Sequence, residues 1–291
     1  MKITIANKIK IENAPKEVLK SIKTSLMLTN PMYHKMMRMG NVSALYNLPQ
    51  FFKYYNVIGD DIFVGRGYEK NLINFLKKNK YDYERTDSTS NPKFRDDFST
   101  KIKLRAYQEG DINVIKQFRN GIIRLGTGYG KTIISVKLID EIQVPTCIIV
   151  PRTHLVQQFR DTITAHSSYE PGIIQGKNWD IKEITIASIQ TLGRRPEAIL
   201  EIKDKFGMVI VDECHTMITD KRLEVIQTFN PKYLFGLTAT PRRTDQQDKA
   251  IFFTFGEIVI SKDMDRKDPE VKILKTNTPI QILENYAEMI D

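Results

Sequence analysis

Residues 125–132 read LGTGYGKT, with glycine at 126, 128 and 130, one cation at Lys131 and a hydroxyl at Thr132. Upstream, "GIIRL" is apolar and strand-sized, and downstream "KTIISVKLIDEI" has the length of a helix. The glycines therefore occupy a loop that leaves a strand and enters a helix. Glycine lets such a loop curl until successive backbone N–H groups converge, and the helix N-terminus adds a partial positive charge. The loop suits an anion of several charges. The strand–loop–helix unit that carries it decides the fold.

Further strands lie on both sides of that unit. "TCIIVP", "ITIASI", "MVIVDE" and "YLFGLTA" are short and nearly all apolar. Strands with no polar face belong to a parallel sheet covered by helices on both sides. From about residue 101 the chain is predicted to be a doubly wound α/β domain, which binds ligands beyond the carboxyl ends of its strands. There Gly126, Thr127, Gly128, Tyr129 and Gly130 would surround a triphosphate. Lys131 would reach its β- and γ-phosphates, and the Thr132 hydroxyl would ligate Mg²⁺. A strict Walker pattern would place glycine where this chain has Leu125.

The strand "MVIVDECH" ends in Asp212, Glu213, Cys214 and His215. An acidic pair after a strand is usually a solvated loop. Roughly 80 residues after a phosphate loop, it reads instead as a hydrolytic pair. Asp212 would hold the metal through water, and Glu213 would orient and deprotonate the attacking water. The chemistry expected is ATP hydrolysis with ATP and Mg²⁺ as cofactors. A zinc role for His215 is poor, because no Cys or His lies at metal-ligand spacing.

Composition bounds the rest. The 291 residues allow roughly two domains at about 150 residues each. No apolar run of about 18 residues spans a membrane, and the amino terminus lacks a secretory core. Cys147 and Cys214 suggest no disulfide framework, which fits a reducing, cytoplasmic setting. Net charge is +9, and residues 1–100 hold 17 Lys and Arg against 10 Asp and Glu. That surplus would attract phosphate polymers or acidic membranes, or else simply be a soluble surface. The organisation expected is a small basic α+β domain at 1–85, a polar linker at 86–100, the α/β domain at 101–265 and a crossing segment at 266–291.

Six segments in order resemble superfamily 2 helicases and translocases of the DExH type: "LRAYQEGDI", "GTGYGKT", "IIVPRTHLVQQF", "IASIQTL", "DECH" and "GLTATP". More narrowly, "LRAYQ", "DECH" and "GLTATPRR" resemble the XPB, RecG and phage UvsW group. "NPMYHKMMRMG" and "GRGYEKNLINFLKK" are similar to the small domain that precedes the motor in UvsW-like proteins. The resemblance implies a RecA-like lobe in which Gln108 reads adenine with Arg105 nearby. It implies that Thr238, Ala239 and Thr240 couple nucleotide state to DNA contacts, bridging toward Asp212–His215. The partner implied is single-stranded, forked or branched DNA, RNA being less favoured, with no oligomer required.

Arg152, Thr153 and His154 follow a strand and offer donors to backbone phosphates, the alternative being a cap or salt bridge. Ser188, Gln190 and Thr191 would contact the same strand or form ordinary turn bonds. Lys35, Arg38 and Arg66, with Lys77, Lys78 and Lys80, are candidate phosphate contacts or solvated charges. Trp179 and "LYNLPQFFKYY" would stack bases or pack in a core. After "GLTATPRR" the chain runs out through "FFTFGEIVI", leaving too few residues for the second lobe such motors use. The expectation is a DNA helicase fragment, weak or inactive alone. Rival readings are a restriction-type translocase subunit, an RNA-directed helicase, or a nucleotide-dependent scaffold without unwinding.

Overall fold

The structure is a computed structural model that describes residues 1–263, apart from 41, 47, 218 and 241–247. The readings that fall on Pro241, Arg242 and Arg243 and on the crossing segment at 266–291 lie outside the described residues.

The α/β domain is built on an eight-stranded sheet. Its spatial order is Asn178–Trp179, Gly172–Gln175, Ile184–Ser188, Thr146–Val150, Met208–Val211, Tyr233–Thr238, Asn120–Leu125 and Ile258–Lys262. All neighbours run parallel except the outer hairpin of the first two. Alternate residues enter opposite cores. Ile123, Leu125, Ile148, Val150 and Ile210 pack beneath helices Lys131–Ile142 and Thr153–His166. Ile122, Cys147, Ile149, Val209 and Val211 pack beneath helices Pro196–Ile202, Asp220–Thr228 and Asp248–Phe255. Helices cover both faces, so the strands carry no polar side. This is the RecA-like doubly wound sheet that the motifs imply.

Residues at the amino-terminal end form a five-stranded sheet in the order Tyr55–Ile58, Asp61–Val64, Ile9–Glu12, Lys2–Ile5 and Glu84–Asp87. Helices Lys16–Ser25 and Glu69–Lys78 pack Val18, Ile22, Leu72 and Leu76 onto Ile3, Ile5, Ile9 and Ile11. Beside this core, Met27–Thr29 and Phe51–Lys53 make a separate two-stranded ribbon.

The linker reading needs correction. Residue 86 lies inside Glu84–Asp87, which pairs in parallel with Lys2–Ile5. All four of its residues are exposed, so no apolar alternation marked it; backbone bonds alone make it a strand. The rest of the segment is a strap along the larger domain. Ser90 exchanges backbone bonds with Asn230 and Lys232, Phe98 is buried in the core, and Thr100 Oγ1 donates to Asp140 at 2.8 Å.

Arg66 also departs from expectation. It is 3% exposed and its guanidinium donates to the carbonyl oxygens of Pro231 and Lys232. Burial lowers its pKa to about 10, with Glu69 opposing the shift. A side chain committed to holding the two domains together is not available to a phosphate. At the same junction a Cβ on Gly67 would lie 2.0 Å from the Phe252 carbonyl oxygen, so only glycine permits this approach. The Arg66 bonds and the Asp87–Arg119 ion pair attach the small domain at the amino-terminal ends of the strands of the larger sheet. Among the described residues no helix is long and apolar enough to cross a membrane.

Candidate functional site

The phosphate loop runs from the end of strand Asn120–Leu125 to helix Lys131–Ile142. Leu125 is buried as the last strand residue, so the loop begins at Gly126. Gly128 and Gly130 have φ of 87° and 97°, conformations that L side chains rarely adopt. Gly126 N–H donates to the Lys262 carbonyl at 2.8 Å, tying the loop to the edge strand. Thr127 and Gly128 form its exposed tip.

Gln108 is 5% exposed and braces the loop from behind. Its Nε2 donates to the Tyr129 carbonyl at 2.9 Å, and its Oε1 accepts from the Arg105 N–H at 3.0 Å in a capping box. Both ends of the amide are thereby engaged with protein. Arg105 is exposed and donates to the Tyr107 hydroxyl at 2.8 Å. Tyr129 is a correction: its ring is buried and its hydroxyl donates to Asp111. Burial and the Asp111 carboxylate raise its pKa. Its backbone is engaged as well, the N–H donating to the Gly126 carbonyl at 3.1 Å and the carbonyl accepting from Gln108.

A chain of polar contacts links three loops at the carboxyl ends of adjacent strands. Lys131 Nζ lies 2.7 Å from Glu213 Oε1, and Glu213 Oε2 lies 3.3 Å from His215 Nδ1. His215 Nδ1 in turn lies 2.9 Å from Thr238 Oγ1, which accepts from the Thr240 N–H at 3.1 Å. Thr238 is buried, Ala239 half-buried and Thr240 exposed. Glu213 has φ 46° and ψ 47°, a left-handed conformation that costs about 1–3 kcal/mol in a non-glycine residue. That turn puts its carboxylate between the lysine and the histidine.

Asp212 is 5% exposed and accepts the Glu213 N–H at 3.0 Å. Burial and then the Glu213 charge push its pKa up to about 6, against the pull of Lys131. A buried carboxylate in that state is short of positive charge, which suits a divalent cation. Thr132 Oγ1 accepts from Gln158 Nε2 at 3.0 Å, which leaves it a second lone pair. Thr132 and Asp212 offer oxygen donors, the ligand chemistry that Mg²⁺ prefers. Among the described residues no group of three or more His, Cys, Asp or Glu could hold a metal unaided.

The nucleic-acid candidates divide. Arg152, Thr153 and His154 are exposed at the start of helix Thr153–His166. Gln190 is exposed too, though its amide donates to the Pro151 carbonyl. Ser188 and Thr191 are buried and bonded locally, Ser188 to Gln190 at 2.6 Å and Thr191 to the Gly176 N–H at 2.9 Å. Their hydroxyls shape the turn instead of meeting a phosphate. Lys35 and Arg38 lie on helix Pro31–Arg38, far in sequence from this site. Trp179 packs against the core with Arg195 5.3 Å above its ring.

Two residues escaped the sequence reading. Gln158 sits six positions beyond Arg152, so a helix-face projection could have aimed it at the loop. Asp111, which anchors Tyr129, had no local signal.

Residues 101–243 match the family model described as "Type III restriction enzyme, res subunit". The chain is 34% identical over 165 residues to the "DNA 3'-5' translocase XPB2" of Sulfurisphaera tokodaii, covering 57% of this chain and 37% of that protein. It is 31% identical over 172 residues to the "Putative ATP-dependent RNA helicase QP509L" of African swine fever virus, covering 54% and 33%. The chain therefore spans about a third of the length of these curated relatives. In three dimensions it is similar to the UvsW helicase from bacteriophage T4, with a TM-score of 0.64 at 19% identity, covering 89% of this chain and 99% of that one. That likeness shows the fold, and it extends beyond the α/β domain.

Proposed function

We propose, from a lobe that matches the res-subunit family model and is similar to the XPB2 translocase, that it is a superfamily 2 helicase domain and that this chain is part of an ATP-driven DNA helicase or translocase. The observation that carries this reading is the contact chain from Lys131 through Glu213 and His215 to Thr238. It connects a phosphate-binding loop to a loop on the next strand, which is what a motor needs to report nucleotide state elsewhere.

The loop amides and Lys131 would hold the triphosphate, and Thr132 with Asp212 would hold Mg²⁺. Bound there, Mg²⁺ neutralises charge on the phosphate oxygens. Lys131 must exchange the Glu213 carboxylate for phosphate, and that exchange frees Glu213 to accept a proton from water. His215 Nδ1 lies between the second carboxylate oxygen and Thr238 Oγ1, so the position of Glu213 is tied to Thr238. Exposed Arg152, Thr153 and His154 would grip the backbone of one strand. Travel would be 3′ to 5′, in recombination, repair or replication at forks or branches.

Hydrolysis by this chain alone should be slow. Motors of this type use an arginine from a second lobe, worth on the order of 10³–10⁵ in rate. The test compares ATPase stimulation by forked DNA, duplex DNA and RNA, using the longest form of the protein, with and without Lys131→Ala. Fork-stimulated turnover abolished by the substitution supports the reading. Stronger stimulation by RNA favours the alternative that the viral relative's name suggests. DNA binding indifferent to Lys131 and without hydrolysis points to a scaffold.

A further inference from the structure

A cleft of about 460 Å³ lies between the small domain and the motor lobe. Phe51, Phe52 and Phe63 line it from one side, and Glu224, Gln227 and Phe253 from the other. Tyr54 and Phe253, 5.3 Å apart between ring centroids, join the two walls. Phe51, Phe52 and Phe63 are each half-buried, yet none packs into either motor core or the small-domain core. Their open faces gain by being covered. A stacked base would cover such a face.

The same cleft holds a half-buried cation, the Lys8 ammonium, which makes no hydrogen bond or ion pair among the described residues. Burial pushes its pKa below the ordinary value, and the Glu224 charge opposes this only in part. Exposed Lys53 and Asn56 stand at the rim. Half-covered rings beside a cation only partly compensated by Glu224, and an amide, match a base carrying a phosphate, and the charge surplus of residues 1–100 favours a polyanion. An apolar ligand would leave Lys8 unpaired. The cleft borders the amino-terminal ends of the motor strands, away from the phosphate loop at their carboxyl ends, so its occupant is not the fuel.

We propose that this cleft holds one unstacked nucleotide of a single-stranded nucleic acid, its base against Phe51, Phe52 or Phe63 and its phosphate beside Lys8 and Lys53. The site rests on the reading of the chain as part of a nucleic-acid motor. It adds a second hold on the strand, remote from Arg152.

The test uses the whole chain with a short oligothymidylate bearing one 5-iodouracil, which crosslinks on irradiation to an aromatic ring stacked on it. Peptide mapping by mass spectrometry should find the adduct on Phe51, Phe52 or Phe63. Unlabelled single strand should compete, and blunt duplex should compete at least tenfold more weakly. Lys8→Gln should weaken binding about threefold to tenfold and flatten the salt slope by about 0.7, as expected for one lost phosphate contact on a single strand. Leucine in place of whichever of Phe51, Phe52 and Phe63 carries the adduct should lower adduct yield at least fivefold, circular dichroism checking that each variant is folded. Adducts confined to the neighbourhood of Arg152–His154, with binding intact, would overturn the cleft and leave the motor reading standing. Equal competition by duplex would overturn the single-strand assignment. No binding to any nucleic acid at low salt would overturn both.

Discussion

Asp212→Asn should change the dependence of stability on pH. In the folded chain the Asp212 pKa is raised from 3.8 to about 6, chiefly by burial and then by Glu213. Between those values the folded state keeps a proton that the unfolded chain has released, so stability falls as pH rises. At 1.36 kcal/mol per pKa unit the loss is about 3 kcal/mol, absent below pH 4 and complete above pH 6. Asparagine keeps the shape and removes the titration. Urea denaturation of both proteins between pH 4 and pH 7.5 should therefore show the variant gaining about 3 kcal/mol on the wild type across that range. The same charge is what the proposed Mg²⁺ needs. Magnesium-dependent binding of a fluorescent ATP analogue should fade below pH 6 in the wild type and be lost in the variant at every pH. Parallel stability profiles for the two proteins would refute the claim that Asp212 is a buried carboxylate short of positive charge.

Three other substitutions probe separate links. Arg66→Ala strands the Pro231 and Lys232 carbonyls and should cost about 2–6 kcal/mol at the domain junction. It should expose the strap at 88–100 to limited proteolysis, and an unchanged digestion pattern would contradict the assignment. Thr238→Val deletes the hydroxyl that meets His215, a bond worth about 1 kcal/mol. Nucleotide affinity should hold within about threefold while DNA stimulation of ATP hydrolysis falls; equal stimulation would remove the coupling role. Gln158→Ala frees Thr132 Oγ1 from its amide. The Mg²⁺ concentration needed for half-maximal nucleotide binding should rise several-fold with metal-free binding unchanged, and a titration curve superimposable on the wild type would dismiss Gln158 as a positioning residue.

Much of the motor lobe was legible because its signals are local. A strand buried on both faces must be apolar throughout, so "TCIIVP" and "MVIVDE" announced a covered parallel sheet. Gly128 and Gly130 occur where φ is positive, a property of single residues that a linear reading detects. The strand Glu84–Asp87 was invisible for the opposite reason: its backbone pairs with Lys2–Ile5, and its exposed side chains carry no trace of that.

The sequence by itself determined the kind of site, because a phosphate loop and an acidic strand end are contiguous runs with a fixed local geometry. Only the tertiary structure decided what each polar side chain is committed to. Arg66 and Lys35 look alike in a basic segment, yet one is sealed against the Pro231 carbonyl and the other lies on a helix with no buried residue. Tyr129 sits within the phosphate loop but turns inward to Asp111, and Gln158 reaches Thr132 across 26 residues. Burial and long-range hydrogen bonding depend on which elements become neighbours, and that is a property of packing, absent from any single stretch of chain.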